Sequence, residues 1–187
     1  MKIGIVTAAA VVLMAAATAW TQNYALKAPI AQKPAFLTSV GRSADIEMVK
    51  VLMERAFVPH KMDAQPKAGD LAASGAKTLI LVVGGSTKGL GAAGVSADAE
   101  LDRSKAMIAE GKKLGMTIIG LHVGGEARRG ELSDKFVQLA IPACNYVIVV
   151  ADGDKDGLFE KLCGGKIPLD KVERISKAVE PLQRAFK

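Results

Sequence analysis

The stretch T-L-I-L-V-V-G-G-S-T-K-G-L-G-A-A-G, residues 78–94, decides how this chain folds. Thr78–Val83 is a continuous apolar run, the pattern expected of a parallel strand covered on both faces. The glycine-rich loop 84–94 leads into a helix over about 97–113. Its face of Ala97, Leu101, Ser104, Ile108 and Gly111 is small, which suits close packing on a sheet. Met116–Val123 begins a second such unit, with a loop at 124–130 and a helix at 131–140 that turns Leu132, Phe136 and Leu139 inward.

Outward from this centre the alternation continues. Ala35–Val40 reads as a strand, and Ser43 can N-cap a helix whose apolar face is Ile46, Val49, Met53 and Ala56. Pro59–Ala64 reads as a short strand and Asp70–Ser74 as one helical turn. Tyr146–Ala151 is a fifth strand, followed by a short helix at Leu158–Leu162. Leu169–Arg174 is either a sixth, edge strand or the start of a helix with a capping box of Asp170 and Glu173. Beyond it Val172, Ile175, Val179, Leu182 and Phe186 share one face of a helix bent or restarted at Pro181. Strands alternating with helices imply an α/β fold, a doubly wound three-layer sandwich with a mainly parallel five- or six-stranded sheet. A flavodoxin-like order, 2-1-3-4-5, is the first expectation and a half-Rossmann, Rossmann-like order the second.

Composition narrows the classes further. Of 187 residues half are hydrophobic and 24% charged, which excludes a disordered chain. The net charge of +6 comes with no Lys/Arg run and no aromatic interleaving, so no nucleic-acid partner is expected. Residues 1–19 combine Met1-Lys2, an apolar run from Ile3 to Ala19 and a terminal Ala17-Thr18-Ala19, the features of a secretory signal peptide. The alternative is an uncleaved anchor, since 17 residues approach the roughly 20 that span a bilayer. Cleavage would start the protein at Trp20, with 20–34 as a flexible leader and 35–187 as a single domain, periplasmic or extracellular, with no stable membrane insertion. Cys144 and Cys163 would then meet an oxidising space and could pair. Geometry leaves the pairing open, because the strand between them climbs about 23 Å while the returning helix descends about 10 Å.

In such sheets ligands sit beyond the carboxyl ends of the strands, and the loops there supply the candidate site. The first contributes Ser39, Gly41, Arg42 and Ser43. The second contributes Gly84, Gly85, Ser86, Thr87, Lys88, Gly89 and Gly91, whose amides and cation suit an anion cradle. It matches neither a P-loop nor a dinucleotide-binding turn, and no cofactor is expected. The third contributes His122, Gly124, Gly125 and Arg128, with Arg129 read as solvated. The fourth, D-G-D-K-D-G, contributes Asp152 and Asp156. Asp152, Asp154 and Asp156 match the first half of a calcium loop, but position 12 is Cys163 and a full EF-hand is excluded. With only His60 and His122, a zinc site is not expected. His122 is the one candidate general base. Asp98, Glu100 and Asp102 read as favourable charge near a helix N-terminus.

F-L-T-S-V-G-R-S-A-D (36–45), L-V-V-G-G-S-T-K-G-L-G-A-A-G (81–94) and A-D-G-D-K-D-G-L-F (151–159) resemble a family of exported bacterial Rossmann-like domains of unknown function. The resemblance implies a fold and no activity. A more distant similarity is to one lobe of periplasmic binding proteins, which have two lobes, so no clamshell cleft is expected within this chain. The function expected is that of an exported domain binding a small anionic or polar ligand at the strand ends. The alternative is an exported hydrolase or transferase that uses His122 as base and the 84–94 amides as an anion hole. A homodimer is left open.

Overall fold

Thr78–Val83 forms β3, buried along its whole length. It lies between β1 (Ala35–Val40) and β4 (Thr117–His122), paired in parallel with both. In the computed structural model, which describes residues 23–187, the remaining strands are β2 (His60–Met62), β5 (Tyr146–Val150) and β6 (Leu169–Val172). All pairings are parallel and the order is β2-β1-β3-β4-β5-β6. This is the flavodoxin-like order extended by one strand, and it excludes the half-Rossmann order. Leu169–Val172 pairs with β5 as the edge strand, so Asp170 and Glu173 form no capping box there.

Helices cover both faces. The helices are α1 (Asp45–Arg55), α2 (Ala68–Ala73), α3 (Thr87–Ala92), α4 (Ala97–Lys113), α5 (Glu131–Ala140), α6 (Leu158–Cys163) and α7 (Val179–Ala185). Ile46, Val49, Leu52 and Met53 of α1 and Leu182 of α7 pack with Leu37, Ile80, Val82 and Ile148 on one face. On the other, Leu71, Met107, Ile108, Phe136 and Phe159 pack with Phe36, Leu79, Leu81 and Val147. Alternate residues of β3 therefore serve opposite cores, and each fully buried leucine or isoleucine contributes roughly 1.5–3 kcal/mol. Gly111 lets α4 approach the sheet, since a Cβ there would lie 2.9 Å from Leu79 Cδ2. Cys144 and Cys163 are both buried and unpaired in this second core. Burial pushes both thiols up, Cys163 to about 11.

Two expectations are corrected. The residues buried on α4 are Glu100, Ser104, Met107, Ile108 and Gly111, with Leu101 partly buried against the same core. The stripe thus includes Glu100 and Met107, which were not expected on it, and Ala97 is not among the buried residues. Residues 20–34 were expected to be a flexible leader; 20–22 lie outside the described residues, but 23–34 form a packed strap beneath the sheet. Ile30 O accepts from Thr117 Oγ1 (3.1 Å), Gln32 O from Thr78 Oγ1 (2.7 Å) and Pro34 O from Lys77 N (2.9 Å), so the strap passes under the starts of β4 and β3. Ala31 bridges Phe186, and the Tyr24 hydroxyl donates to Glu180. Burial and this carboxylate raise the Tyr24 hydroxyl to about 12. The signal at 1–19 lies outside the described residues. Among those described, no helix is long and apolar enough to cross a membrane.

Asp170 fastens the strap to the core, accepting from Ala25 N at 2.9 Å and from the buried Tyr146 hydroxyl. Asp170→Ala leaves that hydroxyl without an acceptor and should cost about 2–3 kcal/mol in urea unfolding. Adding Tyr146→Phe should then cost little more, whereas fully additive losses would contradict the coupling.

Candidate functional site

The turn after β1 is shaped by backbone conformation. Gly41 has φ +100° and Arg42 φ +62°, the latter unusual for a residue with a side chain. What holds Arg42 there is a buried ion cluster. Its Nε lies 2.6 Å from Glu100 Oε2, and Glu100, fully buried, also meets Arg103 Nη2 at 2.7 Å and the Gly41 amide at 3.2 Å. Arg103 Nη2 in turn donates to Ser39 O. Burial raises the Glu100 carboxyl, but the hydrogen bond and charge of Arg103, with Arg42 and the Gly41 amide, outweigh it and hold the carboxyl below its usual range. Arg42, expected to meet a ligand, is therefore engaged inside the protein. Glu100, read from sequence as surface charge, is its partner. The signal that identifies it is spacing: Glu100 lies four, seven, eight and eleven residues before Ser104, Met107, Ile108 and Gly111, a carboxylate on the apolar stripe.

The 84–94 loop is also filled from within. Thr87–Ala92 is helical, with the Ser86 hydroxyl accepting from Gly89 N at 3.0 Å as N-cap. Gly84 N donates to Val40 O, Gly85 N to Ser133 Oγ, Ser86 N to Gly41 O and Leu90 N to Ser86 O. The anion cradle expected here has those amides already donated, while Thr87 and Lys88 are exposed. Gly89 is needed for close approach, because a Cβ would stand 2.0 Å from Arg42 O. Gly91 meets nothing within 4 Å.

His122 is fully buried at the end of β4. Its Nδ1 lies 2.8 Å from Val83 O and its Nε2 3.2 Å from Gly125 O, and the ring packs against Phe159 with centroids 5.1 Å apart. Both nitrogens face backbone carbonyls, which leaves no lone pair directed to an outside substrate and removes the geometric basis for a general base. Gly124 admits the Arg128 side chain, whose Nε is 3.4 Å from Asp45 Oδ1; Ser43 Oγ accepts from the Asp45 amide.

Arg129, expected to be solvated, is 11% exposed and ties three segments together. It pairs with Asp134 at 2.8 Å and Asp156 at 2.9 Å, and donates to Gly153 O. The hydrogen bonds it donates to Asp156 and Asp134 raise its proton affinity, and Arg129 pulls Asp156 down to about 2. The half calcium loop is likewise divided. Asp154 is buried, accepts from Phe159 N at 2.7 Å and pairs with Lys171 at 2.9 Å, while Asp156 turns to Arg129. Among the described residues no group of three His, Cys, Asp or Glu is arranged to hold a metal ion, and Asp154 and Asp156 turn to separate protein partners.

Among the described residues, this edge holds a cavity of about 240 Å³ lined by Glu126, Arg129, Gly130, Asp134, Asp152, Lys155 and Asp156. Four carboxylates face two cations. The Glu126–Lys155 and Arg129–Asp134/Asp156 pairs balance two of them, and Asp152 has no hydrogen-bonding or ion-pair partner among the described residues. The structure thus brings together Asp152, Asp156 and the loop behind Gly124–Gly125, and places Ser39, Gly41, Arg42 and Ser43 in the packed turn outside it. Glu126, Arg129, Gly130, Asp134 and Lys155 are the lining residues that sequence reasoning missed.

Fold and site define a single-sheet α/β domain of flavodoxin-like topology. The chain belongs to the family described as Domain of unknown function (DUF6305), whose model matches residues 32–186. No curated protein matches it. Among solved structures it is similar to the crystal structure of a GDSL-like lipase from Bacteroides thetaiotaomicron VPI-5482, at 11% identity over 78% of this chain and 71% of that one, with a TM-score of 0.37.

Removing the charge at Glu100 leaves two arginines buried around a neutral group. Glu100→Gln should therefore lose about 3–5 kcal/mol in denaturant unfolding. Because the folded-state carboxyl titrates below its unfolded value, its contribution is complete above the usual carboxylate range and is lost as pH falls through the lowered value. The variant should show a flatter fall of Tm on the acid side; an unchanged acid limb would contradict this role.

Proposed function

We propose that the domain binds a small polar ligand carrying a cationic group, such as an amine, in the cavity between the loops after β4 and β5. The observation that carries this reading is the cavity lining, four carboxylates against two cations with Asp152 unpaired. An anionic ligand is disfavoured by the same geometry: Arg42 faces Glu100, Arg129 faces two aspartates, and most of the glycine-loop amides are donated internally. The position supports the reading, since ligands of open parallel sheets sit beyond the strands' carboxyl ends. A hydrolase or transferase mechanism through His122 has no comparable support, because its ring is enclosed by Val83, Gly125 and Phe159.

The apolar run and Ala17-Thr18-Ala19 support export of this binding domain. N-terminal sequencing of the protein recovered from the producing cell's envelope or medium should then begin at Trp20, and recovery with Met1 from the cytoplasm alone would contradict export.

Diamines and basic amino acids at a hundredfold excess over Kd should raise Tm by about 5–10 °C. Asp152→Asn and Glu126→Gln should abolish the shift while leaving the unliganded Tm within about 2 °C. A shift produced by phosphate or citrate instead, or a diamine shift surviving in Asp152→Asn, would overturn the assignment.

A further inference from the structure

The edge of the sheet opposite the cavity carries the reverse charge. Helices run back against the strands, so the strands' amino ends, the helix carboxyl ends and the strap meet on one side. Exposed there are Lys33 before β1, Lys77 before β3, Lys112 and Lys113 at the end of α4, Lys166 before β6, and Lys187. The helix dipole accounts for Lys112 and Lys113 in the last turn of α4, but not for Lys33, Lys77 and Lys166, which stand in loops. The exposed carboxylates Asp98, Asp102, Glu126, Glu131, Asp152 and Asp156 lie toward the other edge, while Glu54 and Glu110, near the helix ends on the basic edge, pair with Lys50 and Lys113.

Two large apolar side chains share the basic edge. Phe57, between α1 and β2, is 77% exposed and holds φ +55°, a conformation an aromatic residue rarely adopts. Leu114, between α4 and β4, is 43% exposed and borders a cavity of about 240 Å³ that Lys77 also lines. β2 and β4 are three strand spacings apart, about 14 Å, so the two apolar groups flank Lys33 and Lys77 from opposite helix layers, and Lys166 extends the cationic row toward β6. Exposed apolar side chains set among cations on one face are the composition of a surface that rests on anionic lipid, where apolar burial and charge attraction add.

We infer that the amino-terminal edge of the sheet is a peripheral docking surface for an anionic lipid bilayer, with Phe57 and Leu114 entering the headgroup region and Lys33, Lys77 and Lys166 facing the lipid phosphates. Docked this way, the domain turns its acidic cavity away from the membrane.

The test is vesicle sedimentation of the full chain on phosphatidylcholine with and without phosphatidylglycerol. Every variant keeps residues 1–22, so the gain on adding the anionic lipid isolates the edge. At about 1 kcal/mol per basic residue, Lys33→Ala/Lys77→Ala/Lys166→Ala should weaken that gain on the order of 100-fold. Lys67→Ala/Lys88→Ala/Arg174→Ala, which removes the same charge from the opposite edge, should leave it within about threefold. Phe57→Ser/Leu114→Ser should reduce binding that persists at high salt. Equal losses from the two lysine-arginine triples, no preference for phosphatidylglycerol, or binding indifferent to Phe57→Ser/Leu114→Ser would each overturn the inference.

Discussion

A single buried carboxylate organises the carboxyl edge of this sheet. Glu100 lies inside the second helix layer with Arg42 and Arg103 on either side and the Gly41 amide above it. A buried carboxylate is tolerated only when paired and hydrogen-bonded, and here those partners come from β1's turn and α4. The cluster therefore clamps the two elements together and holds Arg42 in its left-handed conformation. That conformation sets Arg42 O so close to Gly89 that no Cβ fits between them. The glycine-rich segment, its short helix and the packing of α5 against Gly85 all follow from this one arrangement.

The glycines at this edge consequently serve contacts between loops. Gly41 approaches Gly84, Gly85 approaches α5, Gly124 admits Arg128 and Gly153 lies against the His122 ring. Four loops interlock where a ligand edge was expected, and Arg42, Arg128 and Arg129 are drawn into internal pairs. What remains open is the space between Glu126, Asp152 and Asp156, with an excess of negative charge. Lys33, Lys77, Lys112 and Lys166 are exposed on the far side, so a chain with a net charge of +6 presents an acidic cavity at one edge and a row of lysines at the other.

Much of the fold was legible in the sequence. The apolar runs of β3 and β4 and the alternation with helices follow from periodicity, because a parallel sheet covered on both faces has a simple pattern. The flavodoxin-like order was one of two expected orders, and the structure chose it. Less of the site was legible. Glycine composition signals close approach but does not say to what, and here the neighbour is the protein itself. Glu100 looked like first-turn charge because its partners are 58 positions upstream, at Arg42, and three downstream, at Arg103, and only the fold shows which way it points. The strap at 23–34 has no periodicity since it borrows its hydrogen bonds from Thr78, Thr117 and Asp170, all distant in sequence.

The central claim is that the glycine-rich segment is closed by internal contacts and that the acidic cavity is the open site. Backbone amide chemical shifts, followed during separate titrations with a diamine and with inorganic phosphate, report on both regions at once. The account predicts that the diamine moves amides within 125–134 and 151–157 and that phosphate leaves those of 84–90 unmoved. Saturable phosphate-induced shifts across 84–90, with 125–134 silent to the diamine, would contradict it.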